Sequence, residues 1–168
     1  FGSLLGRLDT LAGFDIVDAE TLFVGAPRLE SITDQVFVRG QGATTDGYEL
    51  YPLYLTEDYR VATMRQGNLV RLMLPDSLSW EIGDGSQMKI AVVDSIGDVA
   101  DKLDTIVTIQ GKAATVRILE TFAPGDRVAI AAGLKVRIAS QSAPGRLGLS
   151  VSTSGRIHTY DERAKWIG

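Results

Sequence analysis

Period-two alternation, cut at short intervals by turn residues, limits what this chain can become more than any other feature. "QVFVRG" (35–40), "YELYPLYL" (48–55), "NLVRLMLP" (68–75), "DTIVTIQG" (104–111), "ATVRILE" (114–120), "LKVRIAS" (134–140) and "RLGLSVS" (146–152) alternate or run apolar. They are rich in Val, Ile, Leu, Thr and Tyr. "TLFVG" (21–25), "MKIAVVD" (88–94), "RVAIAAG" (127–133) and "RIHTY" (156–160) read the same way. A pleated strand sends successive side chains to opposite faces, so such segments suit strands with one buried side. Between them stand "GQGATTDG", "RQGN", "GDGS", "QGKA", "APGD", "SAPG" and "STSG", whose Gly, Pro and Asp residues favour tight reversals. Short strands at roughly 8–12-residue spacing predict an all-β fold, here an antiparallel β-sandwich of Ig-like or jelly-roll-like type.

Helix is confined to one candidate, "DSIGDVADKLDT" (94–105), where Ile96, Val99, Ala100 and Leu103 recur at helical spacing and Asp94 or Ser95 could cap the start. Pro52 inside "YELYPLYL" marks that strand as an edge or a bulge, because proline has no N–H to give to a ladder.

The opening stretch, "FGSLLGRLDTLAGFDIV" (1–17), has a parity of its own. Gly2, Leu4, Gly6, Leu8, Phe14 and Ile16 fall on even positions, and every charge (Arg7, Asp9, Asp15) falls on an odd one. A helix would have to absorb Gly2, Gly6 and Gly13; a strand fits the parity directly. Residues 1–17 are therefore read as an N-terminal extension, a candidate donor strand, ahead of a β domain spanning 18–168. Lent to a neighbour, such a strand would gain affinity from main-chain pairing, with Leu4, Leu8, Phe14 and Ile16 filling pockets. Gly2 and Gly6 would permit close backbone approach. The alternatives are an ordinary first strand of the domain's own sheet and a short helix.

Composition narrows the chemistry. A net charge of -4 over 168 residues gives no basic footprint for nucleic acid. No apolar run approaches the ~20 residues that a spanning helix requires. The absence of Cys removes disulfides, thiolate metal sites and Cys nucleophiles. Depletion of Cys and of Asn, whose only occurrence is Asn68, points to a hot-growing source. The chain begins at Phe1 without an initiator Met; this is read as signal-peptide removal, and the expected location is extracellular.

Few residues nominate a site. His158 is the only histidine, and no acid–base pair or triad pattern accompanies it, so no enzyme is expected. Asp94, Asp98 and Asp101 share one helical face at spacings of four and three. A solvated face is the plain reading, and a Ca²⁺ site the sharper one; no other cofactor is expected. Tyr48 and Tyr54 share a strand parity and form a candidate ligand face for glycan, against the plainer reading of strand packing.

"YLTEDYRVATMRQGNLVRLMLPDSLSW" (54–80) resembles β-sandwich modules of prokaryotic cell-surface and S-layer-associated proteins, and "FAPGDRVAIAAGLKVRIASQSAPGRLGLSVS" (122–152) is similar to the later half of the same modules. The resemblance touches about a third of the chain. It implies an exported structural or adhesive module with no catalytic residues. The extension shares its logic with donor-strand-exchange filament subunits. The expectation is a subunit that assembles with itself into a surface filament or layer by exchanging its N-terminal strand. The alternative is a monomeric surface module that binds glycan or protein through the Tyr48–Tyr54 face.

Overall fold

A computed structural model describes residues 4–9, 15–20, 25–38, 47–138, 144–151 and 157–167. The fold is all-β. In chain order the strands are β1 (Leu4–Asp9), β2 (Asp15–Glu20), β3 (Arg28–Ser31), β4 (Gln35–Phe37), β5 (Tyr48–Glu49) and β6 (Leu53–Thr56). They continue with β7 (Leu69–Met73), β8 (Leu78–Trp80), β9 (Gln87–Lys89), β10 (Ala91–Ile96), β11 (Ile106–Gln110) and β12 (Ala113–Arg117). The last four are β13 (Arg127–Ala132), β14 (Lys135–Ile138), β15 (Gly145–Val151) and β16 (Ile157–Ile167).

They form a seven-stranded sheet in the order β4-β16-β15-β7-β12-β11-β9, a four-stranded sheet β10-β13-β6-β3, a three-stranded sheet β5-β14-β8 and the hairpin β1-β2. Every ladder is antiparallel except that between β4 and β16. One apolar core serves the three larger sheets. Val70, Leu72, Val107, Ile109, Val116 and Leu149 enter it from the seven-stranded sheet. Leu29, Leu53, Leu55, Val128 and Ile130 come from the four-stranded one, and Leu78, Trp80 and Val136 from the third. Alternate positions of the large sheet, among them Arg71, Arg117 and Gln110, face away from this core, as expected for antiparallel strands with one wet side.

Two runs read as single strands are each divided. "YELYPLYL" becomes β5 and β6 in different sheets. Pro52 cannot donate to a ladder, and the buried Leu50 pivots there, its N–H donating to the Leu134 carbonyl at 2.8 Å. "MKIAVVD" becomes β9 and β10, and the chain crosses between sheets at the buried Ile90, whose N–H donates to the Thr105 carbonyl at 2.9 Å.

Gly133, in the turn from β13 to β14, locks this corner. A Cβ there would stand 2.4 Å from the Lys89 carbonyl oxygen, and its φ of +97° suits glycine. Its N–H donates to Glu49 Oε1 at 2.7 Å. Strands from all three sheets therefore meet at one residue without a side chain.

The helix expected over 94–105 contracts to one 3-10 turn, Ala100–Lys102. Ladder pairing holds β10 extended through Ile96, opposite Arg127. Asp94 still serves the turn, since its Oδ1 accepts the N–H groups of Val99 at 2.8 Å and Ala100 at 2.6 Å. The single strand expected in the N-terminal extension is divided as well. β1 and β2 pair antiparallel, Leu4 with Glu20, Gly6 with Asp18 and Leu8 with Ile16. Gly2 and Phe14 lie outside the described residues, as does most of "TLFVG".

Candidate functional site

The C-terminal strand β16 carries an irregularity that organises one side of the molecule. Its ladder with β15 shifts between the pairs Gly148–Tyr160 and Arg146–Ala164, which leaves Asp161, Glu162 and Arg163 in a bulge. Asp161 Oδ1 accepts the backbone N–H of Arg163 at 3.0 Å and that of Ser31 at 3.1 Å. Its Oδ2 accepts the Ser31 hydroxyl. Lys165 donates to Ser31 Oγ at 2.8 Å and reaches Asp161 Oδ2 at 3.4 Å.

Lys165 is only 1% exposed and Asp161 is wholly buried. Burial pulls the Lys165 ammonium below the ordinary lysine value, and the charge of Asp161, with that of Asp34, draws it part of the way back. The cluster is closed on itself, because a buried charge that keeps its partner and its hydrogen bonds avoids the large desolvation cost of a lone one. It ties β3 of one sheet to β16 of the other. Asp34 adds a further tie, its Oδ1 accepting the Ala164 N–H at 3.0 Å.

This clasp positions β4, which ends the seven-stranded sheet. β4 runs parallel to β16 with Gln35 beside Lys165, Val36 beside Trp166 and Phe37 beside Ile167. Gln35 and Phe37 face inward. The Gln35 amide donates to the Glu49 carbonyl at 2.8 Å and accepts the Tyr51 N–H at 3.0 Å, which holds the strand against the segment behind it. The alternate positions face out: Val36 is 60% exposed and Trp166 45%, with Val38 next along the strand and Ile32 exposed at the preceding bend. Among the described residues no strand pairs with the far edge of β4. An open edge flanked by exposed large apolar side chains is a surface that invites a further strand.

The residues singled out from sequence fall in several places. Leu4, Gly6 and Leu8 lie in β1 and Ile16 in β2, paired as given above. Tyr48 and Tyr54 are not brought together. Tyr48, in β5, packs edge-on against Phe37 with ring centroids 5.5 Å apart, and its hydroxyl donates to the Val38 carbonyl at 2.7 Å. Tyr54, in β6, has the Arg127 guanidinium 3.9 Å over its ring and borders a cleft of about 250 Å³ beside Glu30 and the bulge of β16.

Asp94, Asp98 and Asp101 are exposed around the 3-10 turn. The hydrogen bonds from Val99 and Ala100 hold the Asp94 carboxyl below its ordinary value. Among the described residues no three acidic, His or Cys side chains gather where a metal ion could be held. His158 stands exposed on the outer face of β16, opposite Ser150.

The β4 edge is missing from the sequence reading. "QVFVRG" marks the strand, but nothing local says that it is the last in its sheet. "DERAKWIG" hides the rest, since a lysine at a wholly buried strand position contradicts every residue preference. No family model matches the chain, and neither does any curated protein.

Proposed function

We propose that this chain is an extracellular structural subunit that assembles with itself into a surface filament or layer, the N-terminal hairpin of one copy adding to the β4 edge of the next. The reading keeps the sandwich-module architecture expected from sequence and replaces a single donor strand with the β1–β2 hairpin. One observation carries it. The hairpin pairs with no other strand among the described residues, while the seven-stranded sheet ends on β4 with Val36 and Trp166 exposed on its flank.

Strand addition would supply main-chain hydrogen bonds for affinity, and the apolar flank would select which face the incoming strand presents. The patch offered, the hairpin, differs from the patch used, the β4 edge. The contact is therefore head-to-tail, and it propagates unless its rotation closes a ring.

Size-exclusion chromatography with light scattering and negative-stain microscopy test this on three proteins: the full chain, a chain lacking residues 1–20, and Val36→Lys. Concentration-dependent polymers from the full chain alone are expected. A peptide of residues 1–20 should then bind the truncated chain and raise its melting temperature. A full chain that stays monomeric at every concentration, or polymers that persist without residues 1–20, would overturn the assignment.

A further inference from the structure

Asp161 and Lys165 belong to one strand, and a regular strand would carry them to points about 13 Å apart along one face. The bulge of β16 removes that distance. Between the pairs Gly148–Tyr160 and Arg146–Ala164, four steps along β16 match two along β15. The Lys165 amine and the Asp161 carboxyl are thereby brought to 3.4 Å, Nζ to Oδ2. The lysine is 1% exposed and the aspartate wholly buried.

The surroundings of this pair exceed what an ion pair needs. Nζ donates to Ser31 Oγ at 2.8 Å, and the Ser31 hydroxyl donates in turn to Asp161 Oδ2. A proton leaving the amine therefore has a hydrogen-bonded path to one carboxyl oxygen. The other oxygen, Oδ1, accepts the backbone N–H groups of Ser31 at 3.1 Å and Arg163 at 3.0 Å. Two fixed donors on one oxygen stabilise the negative charge that a tetrahedral carbon places there. Two charges held out of water each carry a desolvation cost. Passing a proton through Ser31 removes it, leaving a free amine beside an uncharged acid. Burial already pulls the Lys165 ammonium in that direction.

We propose that Lys165 and Asp161 condense in the folded chain to an intramolecular amide. The step balances without a co-reactant. The ammonium passes one proton through Ser31 to Oδ2. The Nζ lone pair then attacks Cγ, the C–N bond forms, and Oδ1 takes the negative charge under its two N–H donors. A second Nζ proton follows the first to Oδ2. The C–Oδ2 bond breaks, Oδ2 departs as water, and the Cγ–Oδ1 double bond re-forms. The product keeps one N–H on Nζ for the Ser31 hydroxyl and keeps Oδ1 on its backbone donors. Confinement in contact gives amine and acid an effective concentration far above any in solution, and a dry site withholds the water that reversal needs. The crosslink lies within one copy and does not depend on polymerisation.

The experiment is mass spectrometry of the full chain after folding. The intact protein should be lighter than its sequence by one water. Trypsin then localises the loss, because Arg163 lies inside the ring that the amide closes. Cleavage after Arg156 and Arg163 should release residues 157–163 still joined to the peptide that begins at Ala164, with no cut after Lys165. Lys165→Arg keeps a cation at the site and should show its full sequence mass. Ser31→Ala should slow the loss of water at least tenfold, followed from the start of refolding. A synthetic peptide of residues 157–168, which lacks Ser31 and the burial, should keep its water.

The proposal is overturned if the folded chain keeps its full mass, or if the digest gives 157–163 free. A loss of water that maps to another aspartate, such as Asp84 before Gly85, or that persists in Lys165→Arg, would overturn it equally. Ser31→Ala reacting at the full rate would remove the hydroxyl from the proton path.

Discussion

Lys165 donates to Ser31 across 134 residues of chain, at 2.8 Å, in a place where water does not reach. This contact and its shared acceptor, Asp161, hold the first strand of one sheet to the last strand of the other. Lys165→Met removes the cation and leaves a buried carboxylate with only its backbone donors and a hydroxyl. Breaking a buried pair from one side typically costs 3–5 kcal/mol. Because those donors persist here, a loss of about 3 kcal/mol is expected. Urea denaturation should show the lower midpoint, and Lys165→Met combined with Asp161→Leu should recover part of the loss.

Gly133→Ala tests the corner where three sheets meet. The added methyl would press on the Lys89 carbonyl, and the backbone there is one that L residues rarely adopt. Strain of this kind costs of order 1–3 kcal/mol before any steric clash is added. Thermal unfolding should show a lower midpoint. The exposed Gly83, with open space around it, serves as the control: Gly83→Ala should shift the midpoint far less.

Glu57 is a buried carboxylate that organises the loop after β6. It accepts the N–H groups of Asp58 at 2.8 Å, Thr63 at 2.9 Å and Met64 at 2.6 Å. Glu57→Ala strands these donors and is expected to cost about 2 kcal/mol or more. Hydrogen exchange should locate the change, with the amides of Thr63 and Met64 losing protection before those of β7.

Acid should weaken the fold through two carboxylates, Asp58 in the loop after β6 and Asp94 in β10. The backbone N–H of Arg60, aided by that of Val61, holds Asp58 below its ordinary value of 3.8, with burial opposing; the Val99 and Ala100 N–H groups do the same for Asp94. A carboxylate whose native value is depressed contributes stability above its unfolded value and loses it as pH falls through the native one. Stability should therefore decline as pH drops from about 4 downward. Chemical denaturation at a series of pH values should show the slope, and Asp58→Asn with Asp94→Asn should flatten it.

Much of the architecture was legible because alternation and turn chemistry are local. β7, β11, β12, β14 and β15 lie where "NLVRLMLP", "DTIVTIQG", "ATVRILE", "LKVRIAS" and "RLGLSVS" put them. The divisions at Pro52 and Ile90 were legible only in part. Pro52 announces a break, whereas Ile90 looks like any other strand residue until the sheet it leaves is known. β3 and β8 went unread, since "RLES" and "LSW" are too short to carry a period. The clasp was beyond local reading altogether. Its lysine, aspartate and serine are ordinary surface types, and only the pairing of β3 with the bulge of β16 takes them out of water. Tyr48 and Tyr54 fall in strands of different sheets for a related reason: the parity they share in the sequence holds within one strand and ends at Pro52.

The parallel pairing of β4 with β16 has a mechanical consequence. Tension drawn along the chain from the N-terminal side enters the domain before β4, and tension from the C-terminal side enters after β16. In a parallel pair those are opposite ends, so the load runs along the strands and shears their bonds together. An antiparallel pair loaded at one end would open bond by bond. The Lys165–Ser31–Asp161 cluster stands in this line of force, and its rupture would have to draw a charged pair apart without water to receive it. A pulling experiment on the single molecule should find its highest resistance here, with Lys165→Met lowering the peak force.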